Sequence, residues 1–102
     1  MSSQMLSNML FAEKIRQLRE DKQLLQRQVS AALEIDNALY CKIERGDRFA
    51  KREQIPVFAK ILQSDSEELL VLWFADKIIT AIGEEKELGN KAIEVALMNI
   101  NR

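Results

Sequence analysis

Apolar residues recur every three or four positions along most of this chain, and no alternation of apolar and polar residues runs long enough to predict a strand. Glycines and the single proline are sparse, and good helix formers dominate. We therefore predict an all-α protein with six helices, which run to about residues 22, 33, 45, 62, 83 and 100. The first begins at about 8 or 10, the fifth between 64 and 66, and the others at about 26, 36, 55 and 88.

Local signals at the helix ends support these boundaries. Asp36 can cap the third helix by accepting a backbone N–H, and Gly46 can end that helix in the left-handed conformation. Pro56 belongs in the first turn of the fourth helix, where its missing N–H costs nothing. Ser64 and Glu67 have capping-box spacing at the start of the fifth helix.

The fifth helix has more apolar surface than one small core needs, since every position from Leu69 to Ala75 is apolar. A helix with a single apolar face does not explain this run. It is either a central buried helix or part of a dimer interface made with the sixth helix. We favour the dimer, because a small domain would otherwise expose a sizeable apolar patch. The expected interface residues are Leu70, Trp73, Phe74, Ile78, Leu88, Ala92 and Val95.

Positive charge is concentrated in the first part of the chain, although the net charge is only −1. Residues 1–60 carry 11 Lys and Arg against 8 Asp and Glu, whereas residues 61–102 carry 4 against 8. Five basic and two acidic residues lie between Lys42 and Arg52. A local basic cluster of this kind is what a phosphate backbone attracts.

Several functional classes find no support in the sequence. The 102 residues include no histidine, one cysteine and three scattered glycines, so we expect no enzyme, no metal site, no cofactor and no phosphate-binding loop. The start, "MSSQMLSNML", has no basic segment followed by a long apolar run, so we expect no secretory signal, and "LLVLWFA" is too short to span a bilayer. The lone cysteine excludes an internal disulfide and fits the cytoplasm.

The short third helix has the features of a DNA-reading helix. A tight turn joins it to the second helix, and its side chains are small and polar enough to enter a major groove. The amide of Asn37 suits adenine, and Lys42 can reach a guanine or a phosphate. Ala38 and Cys41 are small enough for close approach. The residues therefore favour a helix-turn-helix that binds double-stranded DNA.

Three motifs also resemble a known family: "IRQLRE" in the first helix, Gln26 opening the second, and "IERGDR" after the third. With them, the segment from Phe11 to about Leu69 is similar to the Cro/repressor-type helix-turn-helix family, often called XRE. The resemblance implies a lambda-repressor-like bundle that binds a two-fold operator as a dimer. This sequence departs from the family where Leu25 replaces a capping Ser or Thr, Glu34 replaces the turn glycine, and Tyr40 replaces an aliphatic residue.

The resemblance also implies roles for particular side chains. Gln26 would meet a phosphate or a base, and the major groove would receive Asn37, Ala38, Cys41 and Lys42. The DNA backbone would lie near Arg45, Arg48 and Lys51. For each of these residues the simpler alternative is an ordinary capping, solvated or tolerated side chain.

We therefore expect a cytoplasmic, homodimeric transcription regulator. Residues 1–8 would be a flexible N-terminus, residues 9–64 the DNA-binding domain, and residues 65–102 the helical dimerisation region. Two alternatives stay open: an antitoxin whose C-terminal apolar helices bind a protein partner, and an accessory or controller protein of a restriction–modification system.

Overall fold

A computed structural model describes residues 9–102, and within that range it consists of six α-helices, one short 3-10 turn and no strand. This confirms the all-α prediction, and every predicted helix boundary falls within two residues of the observed one. The 3-10 turn was not predicted, and the predicted flexible segment 1–8 lies outside the described residues. The elements are α1 (Met9–Asp21), α2 (Gln26–Leu33), α3 (Asn37–Arg45), the 3-10 turn (Arg52–Gln54), α4 (Ile55–Leu62), α5 (Ser66–Ile82) and α6 (Lys86–Ile100).

One hydrophobic core holds the first five helices together. Phe11 of α1 meets Phe58 of α4 edge to face, with ring centroids 5.3 Å apart, and Tyr40 of α3 lies against the same ring. Both α2 and α4 have only eight residues, too few to be stable alone, so this packing maintains them. The fully buried side chains include Phe11, Ile15, Val29, Tyr40, Ile55, Phe58, Leu62 and Leu69.

The helix ends confirm two of the four predicted signals. Gly46 ends α3 in the left-handed conformation, with φ of 84°, and Pro56 lies in the first turn of α4. Asp36 occupies the N-cap position of α3, but the prediction that its side chain accepts a hydrogen bond there is wrong. The capping role assigned to Ser64 is also wrong, because Asp65 accepts the N–H of Glu67 instead. Neighbouring residues with equivalent capping chemistry compete for such positions.

A buried carboxylate of α5 caps α1 from across the fold. Asp76 is 1% exposed, and its two oxygens accept the backbone N–H groups of Leu10 at 3.3 Å and Phe11 at 2.9 Å. These are first-turn groups without a partner inside α1. Burial raises the pKa of the Asp76 carboxyl, and the two hydrogen bonds offset only part of that rise. The fifth helix is therefore bonded directly to the first.

The last helix is packed much less completely than the others. Gly89 is the single buried residue of α6 and lies against Ile82 of α5, where an added Cβ would overlap the Ile82 side chain. Ten of the twelve exposed large hydrophobic residues in the described part of the chain belong to α5 and α6. No helix within residues 9–102 has both the length and the apolar character needed to cross a bilayer.

Candidate nucleic-acid interface

A three-residue turn, 34–36, joins α2 to α3. Glu34 has φ of 59°, the left-handed conformation in which glycine is usual, and its N–H donates to the carbonyl of Ala31 at 3.1 Å. The N–H of Ile35 donates to the carbonyl of Ser30, also at 3.1 Å. The turn therefore has ordinary helix-ending geometry although its glycine is missing, at a cost of about 1 kcal/mol or more.

A small buried residue lies where the two helices cross. Ser30 is buried, and its hydroxyl oxygen is 3.2 Å from both the Arg27 carbonyl and the side-chain oxygen of Asn37. A larger residue would push α3 away from α2 at this point. Because the hydroxyl can donate to Asn37 Oδ1, the crossing also orients the amide at the start of α3.

The carboxylate of Glu44 joins all three helices around the site. It is 7% exposed and accepts four hydrogen bonds, whose donors belong to α1, α2 and α3. Arg19 donates through Nε at 2.7 Å and through a second guanidinium nitrogen at 3.0 Å. The hydroxyl of Tyr40 donates at 2.6 Å, and the side-chain amide of Gln26 donates at 2.7 Å.

The ionisation of this group follows from its surroundings. Burial by itself would raise the pKa of the Glu44 carboxyl, but the hydrogen bonds from Arg19, Tyr40 and Gln26 outweigh it, so that the pKa lies below its usual range. The pKa of Tyr40 is raised, first by burial and then by its hydrogen bond to the ionised Glu44. The hydrogen bond to Glu44 likewise raises the pKa of Arg19. The group is thus a charged and fully paired link between helices.

This link was not predicted from the sequence, although two of its members lie in motifs that carried the resemblance. Arg19 belongs to "IRQLRE", and Glu44 belongs to "IERGDR". The spacing of Tyr40 and Glu44, four residues apart on one helix, was the available signal that they share a face. Nothing in the local sequence indicates that Arg19 approaches from 25 residues away.

Gln26 is directed toward α3. Its amide nitrogen donates to Glu44, and its amide oxygen accepts from the thiol of Cys41 at 3.3 Å. Gln26 and Cys41 are both half-buried. The predicted contact of Gln26 with a phosphate or a base therefore stays a prediction, while its observed contacts fasten the start of α2 to the middle of α3.

The outer face of α3 carries the residues predicted to meet DNA bases. Asn37, Ala38 and Lys42 are exposed, and Cys41 lies half-buried beside them. Residues three or four apart lie on the same side of a helix, so Asn37 lies beside Cys41, and Ala38 beside both Cys41 and Lys42. The amide nitrogen of Asn37 lies 3.9 Å from the Cys41 sulfur. The structure therefore brings these four residues together on one face.

The three predicted phosphate-binding residues follow this face along the chain. Arg45 is exposed and donates to Asp47 at 2.9 Å, while Arg48 and Lys51 are exposed in the segment after α3. An exposed ion pair of this kind contributes at most about 1 kcal/mol. A phosphate group could therefore displace Asp47 from Arg45 at a small cost in free energy.

The residues predicted for a dimer interface fall into two groups. Leu70 and Trp73 are half-buried and pack partly against the core of their own chain. Phe74, Ile78, Leu88, Ala92 and Val95 are exposed, with Ile78 at 50% and Leu88 at 62%. The second group forms an open apolar surface on α5 and α6, and the interface itself stays a prediction.

Comparison with known proteins gives one match. A family model described as a helix-turn-helix domain matches residues 10–72, a range that runs from α1 into α5 and includes α2 and α3. No curated protein and no solved structure matches the chain. The matched range covers more than half of the chain and contains every residue of the α3 face described above.

Proposed function

The chain belongs to the helix-turn-helix domain family, and we propose that it is a sequence-specific DNA-binding regulator of transcription, of the Cro/repressor type. The observation that carries the proposal is the exposed face of α3, with Asn37 and Lys42, on a helix tied to α1 and α2 through Glu44. A recognition helix must hold its side chains in fixed positions to distinguish one base from another. The four hydrogen bonds to Glu44 supply that rigidity.

Base contacts would come from the α3 face. The amide of Asn37 can donate to and accept from the edge of adenine in the major groove. Lys42 can donate to guanine acceptors, and Ala38 leaves room for a thymine methyl. Each good pair of hydrogen bonds discriminates against the wrong base by about 1–3 kcal/mol.

Phosphate contacts would position the protein. Arg45, Arg48 and Lys51 lie within seven residues, at the last position of α3 and in the segment that follows it. Contacts of this kind carry little sequence information but make binding strongly dependent on salt. They also supply the local positive charge that the whole chain, at a net charge of −1, does not have.

Dimerisation would use the open apolar surface of α5 and α6. Phe74, Ile78, Leu88 and Val95 are exposed large hydrophobic residues on two adjacent helices, and exposing them costs free energy. A second copy of the chain can cover this surface in a two-fold contact. Two α3 helices would then enter successive major grooves about 34 Å apart.

The proposal is tested by selecting DNA from a randomised pool with the purified full-length protein and titrating the selected duplex. DNA from upstream of the protein's own gene is titrated in parallel. We expect competitor-resistant binding to a two-fold sequence, and a dimer by sedimentation. If no sequence is enriched, and all binding disappears as salt rises, sequence-specific regulation is wrong.

A second candidate function is supported by the extent of apolar surface on α6. Leu88, Val95, Leu97, Met98 and Ile100 are each more than half exposed. This surface suits a protein partner, as in an antitoxin or an accessory protein of a restriction–modification system. A chain that stays monomeric at high concentration, and that does not enrich a two-fold sequence, would favour this candidate over the homodimer.

A further inference from the structure

The segment between α3 and the 3-10 turn, residues 46–51, has no regular secondary structure, yet it carries Arg48 and Lys51. Its two ends are fastened locally. The N–H groups of Gly46 and Asp47 donate to carbonyls in the last turn of α3, and the N–H of Lys51 donates to the side chain of Gln54 at 2.8 Å. These bonds do not reach the middle of the segment, which consists of Phe49 and Ala50.

Two side chains of α5 hold that middle part. The indole N–H of Trp73 donates to the carbonyl of Ala50 at 2.8 Å, and Ala50 is buried. One helical turn later, the ammonium group of Lys77 lies 4.3 Å from the centroid of the Phe49 ring and 4.8 Å from that of Trp73. Both distances are within the range of cation–π attraction. We call Trp73, Lys77, Phe49 and the Ala50 carbonyl the loop clamp.

We propose that Trp73 and Lys77 are positioning residues for DNA binding, which hold residues 46–51 so that Arg48 and Lys51 meet the phosphate backbone. The inference rests on the proposed function and adds two residues that lie beyond the matched range 10–72. A segment ordered before binding does not have to lose conformational freedom when it meets DNA, so its phosphate contacts contribute more to affinity.

The clamp also connects the DNA-binding half to the proposed dimer surface. Phe74 follows Trp73 on α5, its ring contacts that of Trp73 at 5.3 Å, and the guanidinium of Arg52 lies 5.3 Å from the Phe74 ring. Ile78 follows Lys77 on the same helix. The helix that would bear the dimer contact thus also holds the segment that would bear the phosphate contacts.

The test compares the full-length wild type with Trp73→Phe, Lys77→Ala and the control Lys91→Ala on the selected duplex over a series of salt concentrations. Trp73→Phe keeps an aromatic ring but removes the N–H donor. Lys91→Ala removes the same charge as Lys77→Ala, but on α6. We expect the two clamp variants to bind about fivefold more weakly, the usual effect of removing one such interaction.

The salt dependence separates positioning from a merely structural role. We expect the slope of log affinity against log salt to become shallower in the clamp variants by about 0.9 for each phosphate that the protein no longer neutralises. Lys91→Ala should keep the wild-type slope. Unfolding curves and sedimentation are recorded for each variant, so that altered folding or dimerisation is seen separately. Phe49→Leu, at a half-buried loop position, repeats the test if Trp73→Phe does not fold.

The outcomes are distinct. If the wild type binds no sequence specifically, the proposed function is wrong, whatever the clamp variants do. If the wild type binds specifically and the clamp variants keep its affinity and salt slope, the inference is overturned. The inference is also overturned if the clamp variants bind more weakly because they have become monomers, while the slope of log affinity against log salt stays at the wild-type value.

Discussion

Replacing Glu44 by glutamine tests the buried polar link that holds α3 in place. The substitution keeps the shape but removes the charge that pairs with Arg19, at 2.7 Å, and it offers one acceptor oxygen where four hydrogen bonds arrive. Hydrogen bonds to charged groups contribute about 1.5–3 kcal/mol each, and breaking a buried ion pair costs about 3–5 kcal/mol. We expect Glu44→Gln to lower the free energy of unfolding by about 3 kcal/mol.

The assay is urea unfolding followed by circular dichroism, with Asp47→Asn as the matched control. That control makes the same carboxylate-to-amide change in the exposed pair that Asp47 forms with Arg45. An exposed pair contributes little, so its removal should cost less than about 1 kcal/mol. Equal destabilisation of the two variants would mean that the buried hydrogen bonds of Glu44 contribute no more than an exposed ion pair.

The pH dependence gives a second check on Glu44. Because its pKa is lower in the folded protein than in the unfolded chain, its ionised form stabilises the fold at every pH above the pKa of an ordinary glutamate. That contribution is lost as the pH falls through the folded pKa. The stability gap between the wild type and Glu44→Gln should therefore narrow in acid, and a gap that stays constant would contradict the account.

Four further predictions follow from single contacts. Asp76→Ala should cost about 2 kcal/mol in urea unfolding, since it leaves two first-turn N–H groups of α1 unpaired, whereas Asp76→Asn keeps one acceptor and should cost less. Because burial raises the pKa of Asp76, the advantage of the wild type over Asp76→Asn should decrease as the pH rises through that pKa. Glu34→Gly should stabilise the protein by about 1 kcal/mol, as relief of left-handed strain exceeds the entropy cost of glycine; a lower melting temperature would contradict this. Ile78→Asp should give a folded monomer in sedimentation where the wild type gives the proposed dimer, and a dimer that persists in this variant would place the interface elsewhere.

Periodicity and helix-end residues were sufficient to predict all six helices and the exposed face of α3. Spacing along one helix determines which side chains share a face, so Asn37, Ala38, Cys41 and Lys42 could be grouped from sequence alone. Long-range polar contacts could not be predicted. Asp76 interrupts an apolar run, and the local pattern indicates only the end of that run. It is buried because its partners arrive from 66 and 65 residues away.

The contacts of Trp73 and Glu44 could not be predicted for the same reason, since their partners lie far away in the sequence. An indole in an apolar run indicates burial or an interface, and no local signal reveals that its N–H meets the carbonyl of Ala50. A glutamate at the end of a helix with charged neighbours is usually solvated. Only the arrival of Arg19 and Gln26 from other helices makes its burial favourable.

We propose that the exposed face of α3 enters the major groove, and site-directed DNA cleavage can locate that face on the duplex. A cleavage reagent is attached at Ala38→Cys in a Cys41→Ser background, which leaves one thiol in the chain. We expect cuts inside two major-groove segments about one helical turn apart. A matched protein carries the reagent at Ala92→Cys on α6. Strong binding without cuts from position 38, or cuts from position 92 in its place, would show that α3 does not enter the major groove.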